Sequence, residues 1–151
     1  MLLEDPSPLL GADGSLTICY QFPPTLRVHG AQDKRFRRAH RDAEYGHQPG
    51  ELNFWLPLTD ATEGRSSLWV ESEPGKGDMH QLVLRCGEMA RFYGVHCHHE
   101  APPNLTEYCR VSLDFRIAPA ACYDREYQFM PNGKTKIVHN YNECTIPPIK
   151  G

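Results

Sequence analysis

Tyr108 to Ile117 reads YCRVSLDFRI. From Arg110 onward its side chains alternate: Arg110, Ser112, Asp114 and Arg116 on one side, Val111, Leu113, Phe115 and Ile117 on the other. Successive side chains of an extended chain point to opposite faces, so this period of two makes a strand with one polar and one apolar face. Glu51 to Leu58, ELNFWLPL, repeats the pattern, with Leu52, Phe54, Leu56 and Leu58 opposite Glu51, Asn53, Trp55 and Pro57. Such polar faces either look to water or line a cavity inside the protein.

Further short strands are predicted at Ser15–Phe22, Thr25–His29, Ser67–Ser72, Met79–Arg85 and Met89–Val95. Turn signals separate them, among them Pro49-Gly50, Glu63-Gly64, Pro74-Gly75, Gly87-Glu88 and Pro102-Pro103-Asn104. Helical periodicity is nearly absent. The spacing predicts an all-β, double-stranded β-helix (a cupin-like jelly roll) with little helix. It forms one domain over residues 1–151, with a hairpin turn at MPNGK (Met130–Lys134) and a loosely structured tail from about residue 130.

Composition excludes several classes. A net charge of −3 gives no electrostatic case for a nucleic-acid partner, and the basic run DKRFRR (Asp33–Arg38) reads as a solvated turn. No stretch approaches the ~18 apolar residues of a membrane span. The N-terminus lacks the basic and apolar regions of a secretory signal, which predicts a cytoplasmic protein. The six cysteines form no CxxC pair and are expected as free thiols. Oligomeric state is left open.

His40 and Asp42 stand two apart, on one face of an extended segment, and a second histidine group, HCHHE, holds His96, His98 and His99. Two histidines and one carboxylate with open positions make the facial triad of non-haem Fe(II) oxygenases. Arg110 and Ser112 share a strand face eleven and thirteen residues after His99. A guanidinium fork is suited to the far carboxylate of a dicarboxylate cosubstrate, and a serine adds a hydroxyl.

With QFPPTLRVH, HRDAEYGHQPGELNFWLPLTDA, SLWVESEPGKGD and NLTEYCRVSLDFR, the sequence resembles the Fe(II)/2-oxoglutarate-dependent dioxygenases of the phytanoyl-CoA hydroxylase superfamily. Within that superfamily it is similar to the StrG-like branch of streptomycin biosynthesis. The resemblance covers about Gln21 to Arg116. It implies Fe(II) held by His40, Asp42 and His99, which are also the catalytic group. It implies 2-oxoglutarate held by Arg110 and Ser112, with Asn53 near the metal-proximal carboxylate or O2. His99 is preferred over His96 and His98 because Asn104, Thr106 and Arg110 follow it at the family's offsets. Tyr45, His47 and Glu51 border the expected mouth and are candidates for substrate contact. The family's region before the first ligand is longer than the 39 residues found here.

The expected reaction is hydroxylation of a small-molecule C–H bond, with 2-oxoglutarate decarboxylated to succinate. Two rivals stand beside it: a cupin-like metalloprotein that works without 2-oxoglutarate, and a metal-free jelly-roll binding module.

Overall fold

The computed structural model describes residues 9–35, 37–61, 66–129 and 140–148. Two antiparallel sheets face each other. The larger contains β1 (Leu16–Gln21), β2 (Thr25–His29), β4 (Leu52–Pro57), β7 (Ala90–Phe92), β9 (Arg110–Pro119) and β10 (Tyr141–Ile146). Its order is β10-β1-β9-β4-β7, with β2 also paired to β9. The smaller runs β3-β8-β5-β6, formed by Arg37–His40, His99–Ala101, Trp69–Val70 and His80–Gln81. The helical elements named among the described residues are two 3-10 turns, Asp42–Tyr45 and Ala120–Cys122. The fold is the expected jelly roll.

The polar faces turn inward. Asn53, Trp55 and Pro57 of β4 are buried, as are Arg110, Ser112 and Arg116 of β9. Val111, Leu113, Phe115 and Ile117 take the outer face and are half-buried, with Phe115 stacked on Phe54 (5.5 Å, 9°). Among the described residues, buried polar and charged side chains outnumber buried apolar ones. Burying polar groups is costly unless they are paired or used, so this interior is a site as well as a core.

Three strands were not anticipated. β3 begins inside the run read as a solvated turn, although Arg35 and Arg38 are exposed there as that reading requires. β8 grows out of the histidine cluster and is too short to show a period. The loose tail expected from about residue 130 is replaced over Tyr141–Ile146 by β10, which pairs residue for residue with β1 from Leu16↔Ile146 to Gln21↔Tyr141. The MPNGK hairpin and the Glu63-Gly64 turn lie outside the described residues. All six cysteines are free. No helix among the described residues is long and apolar enough to cross a membrane.

Candidate metal centre and its cavity

β3 and β8 are neighbours, and their register sets His40 opposite His99. The chain leaves β3 and enters the 3-10 turn, whose first residue is the buried Asp42. The ligand atoms of His40, Asp42 and His99 all lie within 4.8 Å of one another. Asp42 Oδ1 is 3.4 Å from His99 Nε2 and 3.8 Å from His40 Nε2.

The outer contacts of these three groups decide what they offer. His40 Nδ1 donates to the Arg38 carbonyl (3.1 Å) and His99 Nδ1 to the Cys97 carbonyl (3.2 Å). A carbonyl only accepts, so in the neutral rings the proton sits on Nδ1 and Nε2 presents a lone pair. Burial pushes the His40 pKa down, which favours that neutral form. Asp42 Oδ2 is saturated by Asn53 Nδ2 (2.6 Å), Arg116 Nε (2.8 Å) and Arg116 Nη2 (2.7 Å). Only Oδ1 is left to face the histidines. Burial raises the Asp42 pKa, but the Arg116 charge and the Asn53 amide, both donating to Oδ2, outweigh it and hold the carboxyl well below the usual range. Three lone-pair donors thus converge, an arrangement that a bound cation relieves. Imidazole and carboxylate suit a transition metal such as Fe(II).

His99 is set inward by its neighbours. His98 donates its N–H to Glu71 Oε2 (2.9 Å), its ring lies 3.4 Å from the same oxygen, and Glu71 returns its own N–H to the His98 carbonyl (2.8 Å). His96 packs edge-on against Tyr93. Neither belongs to the converging group. Gly94 is needed for close approach: a Cβ there would lie 2.7 Å from Asn53, and its carbonyl accepts the Asp42 N–H (2.8 Å). Gly94→Ala is therefore expected to displace Asn53 from Asp42 and cost about 1–3 kcal/mol through overpacking. Urea unfolding of the metal-free protein reads this, and wild-type stability would mean that Asn53 has room to yield.

A cavity of about 510 Å³ opens beside the triad, lined by Arg110, Asn53 and Trp55 of the larger sheet, His99 and Ala101 of the smaller, and Tyr45 and His47 of the turn after β3. Arg110 is buried, with Nη2 3.1 Å from each ring nitrogen of His29 and Nη1 3.4 Å from Ser66 Oγ. Ser112 is fully buried, and its Oγ has no hydrogen-bond partner among the described residues. An orphaned inward hydroxyl beside an inward guanidinium fits an anionic guest. Asn104 holds this end in place. Its Nδ2 donates to the carbonyls of Gly30 (2.8 Å) and Tyr108 (2.7 Å). It is fully buried.

Of the substrate candidates, Tyr45 and His47 line the cavity, whereas Glu51 lies behind His47, bound to His47 Nδ1 at 2.6 Å. Arg116 and Asp114, which the sequence leaves to pair with each other or to sit deeper in the cavity, do not pair together, and several partners were not foreseen. Arg116 pairs with Asp42, while Asp114 pairs with Arg27 (2.6 Å). His29 backs Arg110, and Tyr141 bonds Glu51 (2.7 Å). The inward parity of Arg116 was the one signal available for these.

No family model matches the chain. It is 39% identical over 101 residues to the streptomycin biosynthesis protein StrG of Streptomyces griseus, covering 67% of this chain and 47% of that protein. The chain thus spans about half the length of this relative. Among solved structures it resembles the non-haem monooxygenase ThoJ in its nickel complex (TM-score 0.57, 19% identity, 68% of this chain and 45% of that one). It also resembles SnoN, a non-haem α-ketoglutarate-dependent epimerase of nogalamycin biosynthesis (TM-score 0.56, 19% identity, 89% and 61%). A third is SnoK, the α-ketoglutarate-dependent carbocyclase of the same biosynthesis (TM-score 0.54, 14% identity, 68% and 51%). The chain has the jelly-roll fold of these non-haem enzymes and carries, in its interior, a His–Asp–His group able to hold a metal ion.

Proposed function

We propose that this chain is the core of an Fe(II)- and 2-oxoglutarate-dependent oxygenase of the phytanoyl-CoA hydroxylase superfamily, acting on a small molecule. The observation that carries this reading is the convergence of His40 Nε2, His99 Nε2 and Asp42 Oδ1 beside a cavity that also holds Arg110. The likeness to StrG and to enzymes named as α-ketoglutarate-dependent supports it.

Fe(II) bound there, with 2-oxoglutarate and O2, supplies an oxidation that converts C–H to C–OH while 2-oxoglutarate becomes succinate and CO2. The chain's own part is positional. His40, His99 and Asp42 would hold the metal through Nε2, Nε2 and Oδ1. Arg116 and Asn53 fix Asp42 so that a single oxygen is presented. Arg110 and Ser112 would take the far carboxylate of 2-oxoglutarate, with Asn53 beside Asp42. The retained carboxylate favours hydroxylation over halogenation, since a halide needs a vacated ligand position.

Anaerobic titration of untagged protein, first with Fe(II) and then with 2-oxoglutarate, tests the assignment. One Fe(II) per chain is expected, followed by a weak visible absorption that needs both additions. Iron binding with no response to 2-oxoglutarate would favour a metalloenzyme of another kind, and no iron binding would favour a binding module.

A further inference from the structure

The inner face of the larger sheet walls the cavity, and its outer face is apolar across the middle strands. Cross-strand partners share a face, so register joins the outward side chains into rows. Leu26 and Leu56 flank Leu113 from either side, and Val28 stands beside Val111. Phe54 stands beside Phe115, and Leu52 beside Ile117. On its other side Ile117 meets Tyr20 of β1, and Ile18 meets Pro119. Among the described residues, Arg91 of β7, opposite Phe54, is the one charged side chain at the outward strand positions of this sheet.

Leu26 and Val28 are 60% and 55% exposed, and Leu58, just past β4, is 41% exposed. β1 with β2, β9 and β4 make three rows about 4.8 Å apart, and at about 3.3 Å per residue over the length of β9 they cover roughly 500 Å² before pleating is counted. An apolar patch of this size marks an interaction surface. Two such faces together bury about 1,000 Å², which reaches what a specific interface needs. The face offers almost no hydrogen-bonding side chain, so a polar partner would lose water there and gain nothing. Another flat apolar sheet fits, because sheets pack face to face about 10 Å apart with their side chains interdigitated. Two copies of one patch meet about a twofold axis, which closes the assembly at a dimer.

We propose that this outer face is the interface of a homodimer, in which two copies of the chain pack their larger sheets back to back with Leu26, Val28 and Leu113 at the contact. β9 and β4 then carry the contact on one face and Arg110, Ser112, Arg116 and Asn53 on the other, so dimerisation backs the wall of the cavity. The dimer requires neither the metal nor the cosubstrate.

Sedimentation velocity of the full chain across a range of concentrations tests this. A single step from monomer to dimer is expected. Leu26→Lys/Val28→Lys should weaken it about a hundredfold or more, since like charges then face each other in an apolar contact. Leu26→Glu/Val28→Glu should do the same. Both positions are more than half exposed, so the variants keep the fold, which circular dichroism checks. Mixing the two variants should restore a dimer, an outcome that damage to the fold cannot produce. A wild type that stays monomeric, or that aggregates without a dimer step, would overturn the proposal. So would a dimer that persists in the charged variants, which places the contact elsewhere, and variants that stay apart when mixed. A monomeric wild type that binds a synthetic leucine–lysine amphipathic helix would overturn it too and give the face to a helical partner.

Discussion

Asp42→Ala is expected to abolish Fe(II) binding and to lower the stability of the metal-free protein by about 3–5 kcal/mol. The first effect follows from the triad, in which Oδ1 is the one carboxylate oxygen left for a metal. The second follows from what the substitution strands. Arg116 is buried and directs Nε and Nη2 at Asp42 Oδ2 (2.8 and 2.7 Å). Its remaining described partner is Gln21, whose Oε1 accepts from Nη1 at 2.9 Å, a neutral contact that cannot balance the charge. Asn53 Nδ2 loses its acceptor at the same time. The double variant Asp42→Ala/Arg116→Met removes the stranded cation. It should recover much of the stability and none of the iron binding. Urea unfolding and Fe(II) titration of the three proteins separate the effects. Stability of Asp42→Ala within about 0.5 kcal/mol of wild type would mean that Arg116 is not held as described.

Arg110→Ala is expected to weaken 2-oxoglutarate binding by roughly two orders of magnitude or more while Fe(II) affinity changes little. Each charge-assisted hydrogen bond contributes about 1.5–3 kcal/mol. Losing both arms of a fork therefore passes the ~2.8 kcal/mol that a hundredfold change requires. Arg110 is not among the converging metal-ligating groups, so iron binding is spared. Arg110→Lys should recover only part of the loss, because an ammonium cannot reproduce the planar fork or its contact with the His29 ring. Paired titrations with Fe(II) and then 2-oxoglutarate decide it. Unchanged 2-oxoglutarate affinity in folded Arg110→Ala would remove this cosubstrate site and leave a metal that works without it.

The amino-acid sequence by itself determined what is periodic and local. Alternation over Arg110–Ile117 and Leu52–Pro57 marks two faced strands, because side-chain direction follows from backbone geometry alone. The same parity puts Arg110, Ser112 and Arg116 on one face, and the spacing of His40 and Asp42 raises a metal site before any contact is known. Which face looks inward was a tertiary decision, since it depends on a second sheet supplied by β3, β5, β6 and β8. The family's offsets already preferred His99 among three histidines, but what turns it inward is tertiary, because the Glu71 clip on His98 comes from 27 residues away. So were the partners that complete the site: Arg116 lies 74 residues from Asp42, and Tyr141 lies 90 from Glu51. β10 gave no period of its own and took its place by pairing with β1. Period-two patterning records where each side chain points along its own strand, but which distant group it meets depends on long-range register, and register exists only once the sheets have formed.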